Sequence, residues 1–498
     1  MRGWPERIVR RRMESSATSC IPCAHTVLGP PLPWLHHPLL ALLRLAWPTA
    51  LSMVSFSVMT IVDTLLVGHL GTAELAGVGL AGTTAFVLLC FSFGLLQGAK
   101  TLVAQAIGAG RRDAVLSYVG VALCSALVLG AATTTIGEVV STVIGRLTAS
   151  AAASTAARSY LAIRTLAAPV VLVQVALRET RQAQGDARSP MVATITANVV
   201  NVVLAVVFLF RLHWGVRGAA WATVIAHGVE AGVLLLVQHA AGGLGVRSIR
   251  RAHFRELARI GIPTALQFML EVGAFALLTF AISMFSELDM AGHQIALQIV
   301  HFSFLPCVAV GEAAAILSGQ AVGADRDELV RYVARRATGI AATYAAMCSI
   351  AMIVFGRTLA GAFTREGEAA AIAARLLQIA ALFGVVDAIN IVARCVLRGT
   401  GDVRYAAVVA VVVSWLSTPV CAWTLGHGLG LGALGGWLGI LIEVIVSGVI
   451  LGLRVERLGW APAAKSARER LVALGRGDSI ALVGDGALVK TMLVEGER

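Results

Sequence analysis

Three carboxylates lie inside stretches of sequence that are otherwise apolar. Asp63 falls late in the stretch 45–67, fifteen residues after Pro48. Glu271 falls in 260–284, eight residues after Pro263, and Asp387 lies in the middle of 372–395. An ionisable side chain at the centre of a membrane helix costs about 2.5–3.5 kcal/mol on insertion scales, so one that is kept there points to a site. A carboxylate in a partly dry cleft holds a proton more readily than one in water. It can load that proton on one side and release it on the other, or stay ionised and bind Na⁺ or an organic cation. A single carboxylate that cannot hold both ligands couples them by competition, which is the simplest antiport chemistry these residues allow.

Polar neighbours are available to each acid. Asn201 and Thr223 are candidates to ring Asp63, and His293 and Gln294 to face Glu271. Asn198, Gln267, His301 and Asn390 are further polar residues within apolar stretches. Each of these taken alone suits a helix–helix hydrogen bond. Glu230, Glu312 and Glu443 also fall in or near spans, with Glu312 close enough to the end of its stretch to be reached by water. Pro48 and Pro263 either open their helices or leave a bend point beside an acid, and so are hinge candidates.

The elements that must hold these residues are membrane helices. Of 498 residues, 57% are apolar and 14% charged, with mean hydropathy +0.81. A soluble fold carries roughly a quarter charged residues. Disorder, fibrous repeats and a secreted disulfide scaffold are excluded on the same grounds. Stretches near the 20-residue length of a bilayer span occur about twelve times: 45–67, 75–98, 115–136, 159–178, 190–210, 218–238, 260–284, 291–317, 337–356, 372–395, 405–425 and 430–453. Residues 1–44 are basic and Pro-rich without a clear signal-cleavage pattern, and Met13 is an alternative start. With both termini cytoplasmic, 32 of the 40 Lys and Arg fall on the cytoplasmic side and 8 opposite. Lys100, Arg394 and Arg398 are counted among the cytoplasmic loop charges. That split is a strong positive-inside signal, and it assigns the net charge of +12 to anionic lipid rather than nucleic acid. Six cysteines sit in apolar stretches, and Cys20 and Cys23 form a lone CxxC without the second pair a metal site needs.

Sliding the chain by 215 residues superimposes its two halves. Ala46-Trp47-Pro48-Thr49-Ala50-Leu51 falls on Gly261-Ile262-Pro263-Thr264-Ala265-Leu266, and Gln105-Ala106-Ile107-Gly108-Ala109 on Gln320-Ala321-Val322-Gly323-Ala324. With one residue of slip, Gly185-Asp186 falls on Gly401-Asp402 and Trp221 on Trp437. Six spans per half is an even number, so the repeats are parallel, related by an axis along the membrane normal. The expected organisation is a tail 1–43, an N-lobe 44–238, a basic linker 239–259, a C-lobe 260–453 and a tail 454–498. Asp63 aligns with Leu278 and Glu271 with Phe56, so each half has its own acidic site.

Gly77-x-Gly79-x-x-Gly82 fits a dinucleotide spacing but lies in an apolar span without a preceding strand, and is set aside. The chain has no nucleotide-binding P-loop and no His/Cys metal cluster. The segments Val62-Asp63-Thr64-Leu65-Leu66-Val67-Gly68-His69-Leu70-Gly71, Val103-Ala104-Gln105-Ala106-Ile107-Gly108-Ala109-Gly110, Ala291-Gly292-His293-Gln294-Ile295-Ala296 and Leu397-Arg398-Gly399-Thr400-Gly401-Asp402 together resemble the multidrug and toxic compound extrusion (MATE) family over residues 40–455. The resemblance implies an all-α polytopic membrane protein: twelve transmembrane helices in two parallel six-helix repeats, a V-shaped two-lobe exporter coupled to H⁺ or Na⁺. Glu271 and Asp387 match the C-lobe acidic pair of its NorM-like branch. The Asn-x-x-x-Asp pair of the DinF-like branch reads Asn201-Val202-Val203-Leu204-Ala205 here, so that aspartate is missing.

The resulting expectation is an inner-membrane antiporter, multi-pass with both termini cytoplasmic, that acts as a monomer without a cofactor beyond its coupling ion. It exports amphipathic or cationic small molecules, with Glu271, Asp387 and Asp63 binding the cation. A flippase for lipid-linked saccharides would favour a basic cleft. A membrane enzyme would need a nucleophile or metal cluster, and the repeat halves fit alternating access better than a channel.

Overall fold

In lipid no water is available to satisfy backbone amides, so a chain this apolar crosses as helices. The computed structural model describes residues 32–148, 150–246 and 249–476. The Cys20/Cys23 pair, Met13, Arg247 and the chain beyond 476 lie outside the described residues. The helices are α1 Pro38–Gly68, α2 Thr72–Gly108, α3 Arg112–Ile144, α4 Ala151–Leu166, α5 Ala168–Ala183, α6 Arg188–Val206 and α7 Gly215–Ala240. They continue with α8 Arg251–Ser283, α9 Glu287–Gly323, α10 Asp327–Gly361, α11 Gly367–Thr400, α12 Val403–Cys421, α13 Ala433–Glu456 and α14 Ala461–Arg476. Eleven are long and apolar enough to cross a membrane, and α4 with α5, bent by 50°, makes a twelfth span. The bend falls where Pro169 opens α5. Pro169 cannot donate to the preceding turn, and its ring packs against Gly130 of α3, where a Cβ would sit 2.4 Å from its Cα.

The helices outrun the hydropathy signal. α2 and α9 have 37 residues each, about 55 Å at 1.5 Å per residue, well beyond the roughly 30 Å hydrocarbon core. Pro48 and Pro263 do not open their helices: α1 starts at Pro38 and α8 at Arg251, and both run on through the proline. The basic segment 239–259 is accordingly part loop and part helix, its residues 251–259 forming the first turns of α8.

The repeat is visible in the packing. α1 packs on α6 of its own half and on α9 of the other, while α8 packs on α12 and on α2. α6 and α12 each end in a π-helical turn, Val207–Arg211 and Ala422–Gly428, at equivalent repeat positions. Where the halves meet, small residues let backbones touch, as membrane helix pairs require. A Cβ on Gly94 would lie 2.5 Å from the Ala265 Cα, and one on Gly98 2.8 Å from the Gly261 Cα. Gly77, from the set-aside glycine motif, makes a similar close approach within the N-terminal half, its Cβ position 2.5 Å from the Ala153 carbonyl oxygen of α4, while Gly79 and Gly82 face open space.

Candidate functional site

The first acidic group is in the N-lobe. Asp63 stands near the end of α1, where its carboxylate interacts with Asn201 of α6 and lies in the field of the Arg164 guanidinium of α4. The Asn201 amide donates to the Thr223 hydroxyl of α7 at 3.3 Å. Tyr160, one turn before Arg164, interacts with both Asp63 and Thr223. Asn201, Thr223 and Asp63 therefore come together. Arg164 and Tyr160 are the members that sequence reasoning passed over. One turn beyond Asn201, Ala205 is buried without a polar atom to offer. Asn198 donates to Ser55 at 2.6 Å, tying α6 to α1 one turn away.

The second group is in the C-lobe. Glu271 of α8 accepts from Arg394 Nη1 of α11 at 2.8 and 3.0 Å, and from Gln267 at 3.1 Å. Asp387 stands two turns before Arg394 on α11, interacts with Asn390, and lies in the fields of Arg394 and Glu443. It also borders a small cavity with Ser303, Cys307, Cys348 and Ser349. Glu443 of α13 accepts from the Thr418 hydroxyl at 2.5 Å. His293 and Gln294 do not join Glu271. The His293 ring is buried and bonded to Trp437 Nε1 at 3.0 Å and to the Thr279 hydroxyl at 3.3 Å, whereas Gln294 is exposed.

A third group joins the halves. Lys100 of α2 is 4% exposed, Glu179 of α5 5% and Glu312 of α9 7%. The Lys100 ammonium lies 2.6 Å from Glu179 and 2.7 Å from Glu312. Arg398 of α11 pairs with the other Glu312 oxygen and donates to Gln97 at 2.7 Å. Glu312 is thus an interior ion-pair partner and not a wetted helix end. Lys100, Arg394 and Arg398 are likewise interior residues and not loop charges. Their helical register was the available signal: Arg394 and Arg398 are one turn apart and Asp387 two turns from Arg394, so one face of α11 carries all three. Burying such ions requires partners, since the desolvation cost is several kcal/mol per charge.

The family model described as MatE matches residues 48–207 and 263–423. These two stretches begin 215 residues apart, the offset of the internal repeat. The chain belongs to the multidrug and toxic compound extrusion (MATE) family. This MATE chain is 30% identical over 437 residues to a probable multidrug resistance protein NorM of Bradyrhizobium diazoefficiens, covering 84% of this chain and 92% of that one. It is 26% identical to a protein of the same description from Thermotoga maritima, covering 87% and 96%. A crystal structure of MATE in the bent conformation superimposes with a TM-score of 0.80 at 22% identity, over 86% of this chain and 97% of that chain, which bears on the fold. The chain is therefore a multi-pass helical membrane transporter and not an enzyme.

Proposed function

We propose that this MATE protein exports amphipathic or cationic small molecules in exchange for H⁺ or Na⁺ by alternating access. Glu271 and Asp387 hold the exchanged cations, and Asp63 serves as a coupling carboxylate. The observation that carries the reading is the charge of the C-lobe group, where the acids Glu271, Asp387 and Glu443 lie in the field of one cation, Arg394. That imbalance calls for positive ligands. The names of the NorM relatives support multidrug substrates. The flippase alternative is disfavoured because the C-lobe group sets three acids against Arg394, a negative excess that repels a pyrophosphate.

In this reading the lobes span 44–238 and 260–453, the transporter acts as a monomer, and Pro48 and Pro263 are the bend points. Both termini face the cytoplasm of the inner membrane. Leaving out the interior cations Lys100, Arg394 and Arg398 on that side and Arg164 opposite, 29 basic residues stand against 7, so the positive-inside bias persists. The joined ends of α2, α8, α9 and α11 are then the cytoplasmic closure, and the opposite ends release substrate. The test is efflux of a fluorescent organic cation from cells expressing wild type or Asp387→Asn. Energy-dependent efflux that falls at least about tenfold in the variant supports the reading, whereas equal efflux at matched expression refutes it.

A further inference from the structure

The C-lobe group contains an acid that the cation site of the proposed function does not use. Glu443 stands on α13, and two glycines bring that helix close. A Cβ on Gly448 would lie 3.0 Å from a Val386 methyl and 3.5 Å from the Asn390 Cβ. One face of α13 carrying Glu443, Ser447 and Gly448 therefore lies against the face of α11 that carries Asp387, Asn390 and Arg394. A Cβ on Gly439 would meet Thr418 Cα at 3.0 Å, and this seats α12 so that Thr418 can donate to Glu443 at 2.5 Å. Ser414, one turn earlier on α12, holds the same carboxylate.

Charge and hydrogen bonding both leave the group incomplete. Arg394 is the cation that faces Glu271, Asp387 and Glu443, so two negative charges remain in excess when all three acids are ionised. Asn390 is 4% exposed and Ser447 3% exposed, yet Asn390 Oδ1 and Ser447 Oγ have no hydrogen-bond partner. Asn390 presents its amide at Asp387, so that unpaired oxygen is at the site. These three carboxylates do not converge closely enough to grip one metal ion. Spread negative charge matches an extended ligand whose own charges are spread. The N-lobe group differs in charge, with Asp63 in the field of Arg164, one against one, while Asn201 Oδ1 and Arg164 Nη1 there are also without a hydrogen-bond partner.

We propose that Glu443 is a third ligand-binding carboxylate, and that with Arg394 as a tethered counter-cation it gives the C-lobe site capacity for two positive charges, so that organic dications are bound as a class. A monocation leaves one carboxylate for a proton, whereas a dication occupies the full excess. This rests on the cation-export reading and specifies its substrate class.

The experiment uses the full-length protein in liposomes, with methyl viologen as a dication and tetraphenylphosphonium as a monocation. The readout is the ratio of their transport rates under one fixed gradient. Glu443→Gln is expected to lower the dication-to-monocation ratio by about tenfold, and Glu443→Asp to restore it. Arg394→Gln, which enlarges the charge excess, is expected to raise the ratio, and this variant carries the test if Glu443→Gln does not fold. Monocation transport in wild type with a ratio that neither variant moves overturns the proposal and leaves the export reading standing. Transport of neither cation by wild type overturns the export reading and this proposal with it.

Discussion

Gly108 and Gln320 meet backbone to backbone: a methyl group on Gly108 would lie 1.9 Å from the Gln320 carbonyl oxygen. The repeat returns the contact, for a methyl on Gly323 would lie 2.0 Å from the Gln105 carbonyl oxygen. The side chains repeat it again. Gln105 donates to the Gly399 carbonyl at 3.0 Å, and Gln320 to the Ala183 carbonyl at 3.1 Å. The pseudo-two-fold axis therefore passes between these residues, and α2 and α9 cross on it.

Either glycine changed to alanine must push the two helices apart, since the obstructing atom is backbone and cannot rotate away. Overpacking of this kind costs about 1–3 kcal/mol or more. Gly108→Ala and Gly323→Ala should each lower the thermal stability of the detergent-solubilised protein, while Gly79→Ala, which meets open space, should not. Thermal unfolding of the three variants side by side checks this.

Lys100 bridges two acids, Glu179 from the N-lobe and Glu312 from the C-lobe. Removing one member of a buried ion group costs about 3–5 kcal/mol because its partners stay charged. Lys100→Met should destabilise strongly, and Lys100→Met combined with Glu179→Gln should recover part of the loss. The measurement is the unfolding midpoint of both variants. Additive losses would mean that the ammonium and the Glu179 carboxylate act independently.

His293 holds the Trp437 indole at 3.0 Å, and both side chains are buried. An unpaired buried donor or acceptor costs about 1–3 kcal/mol. His293→Phe and Trp437→Phe should each reduce stability, and the double variant should lose less than the sum, with coupling of about 1 kcal/mol. A double-mutant cycle in thermal or denaturant unfolding reads the coupling directly.

The sequence made the helices and the repeat legible for a physical reason. Bilayer thickness forces long apolar runs, and two parallel halves leave an offset that Gln105-Ala106-Ile107-Gly108 and Gln320-Ala321-Val322-Gly323 carry openly. Helix ends were less legible, because hydropathy marks the part of α2 or α9 inside lipid and not the turns beyond it. The three acids stood out because a lone charge in an apolar run is costly. The interior cations did not, because Lys100, Arg394 and Arg398 lie where an apolar run gives way to a basic one and look like loop residues. Only the continuity of α2 and α11 turns them inward. Glu179 was hidden for the same reason, between Arg178 and Arg181 on a helix whose apolar face is short. His293 was read towards Glu271 from its position in α9, but its bond is set by Trp437, which lies 144 residues away and leaves no local trace.

The most direct test of cation antiport follows a fluorescent organic cation in proteoliposomes under an imposed pH gradient and then an imposed Na⁺ gradient, with wild type beside Glu271→Gln. Movement driven by one gradient, and reduced at least about a hundredfold in the variant, is the predicted result and names the coupling ion. Folded wild-type protein that moves the cation under neither gradient, or a variant that moves it as fast as wild type, would contradict the assignment.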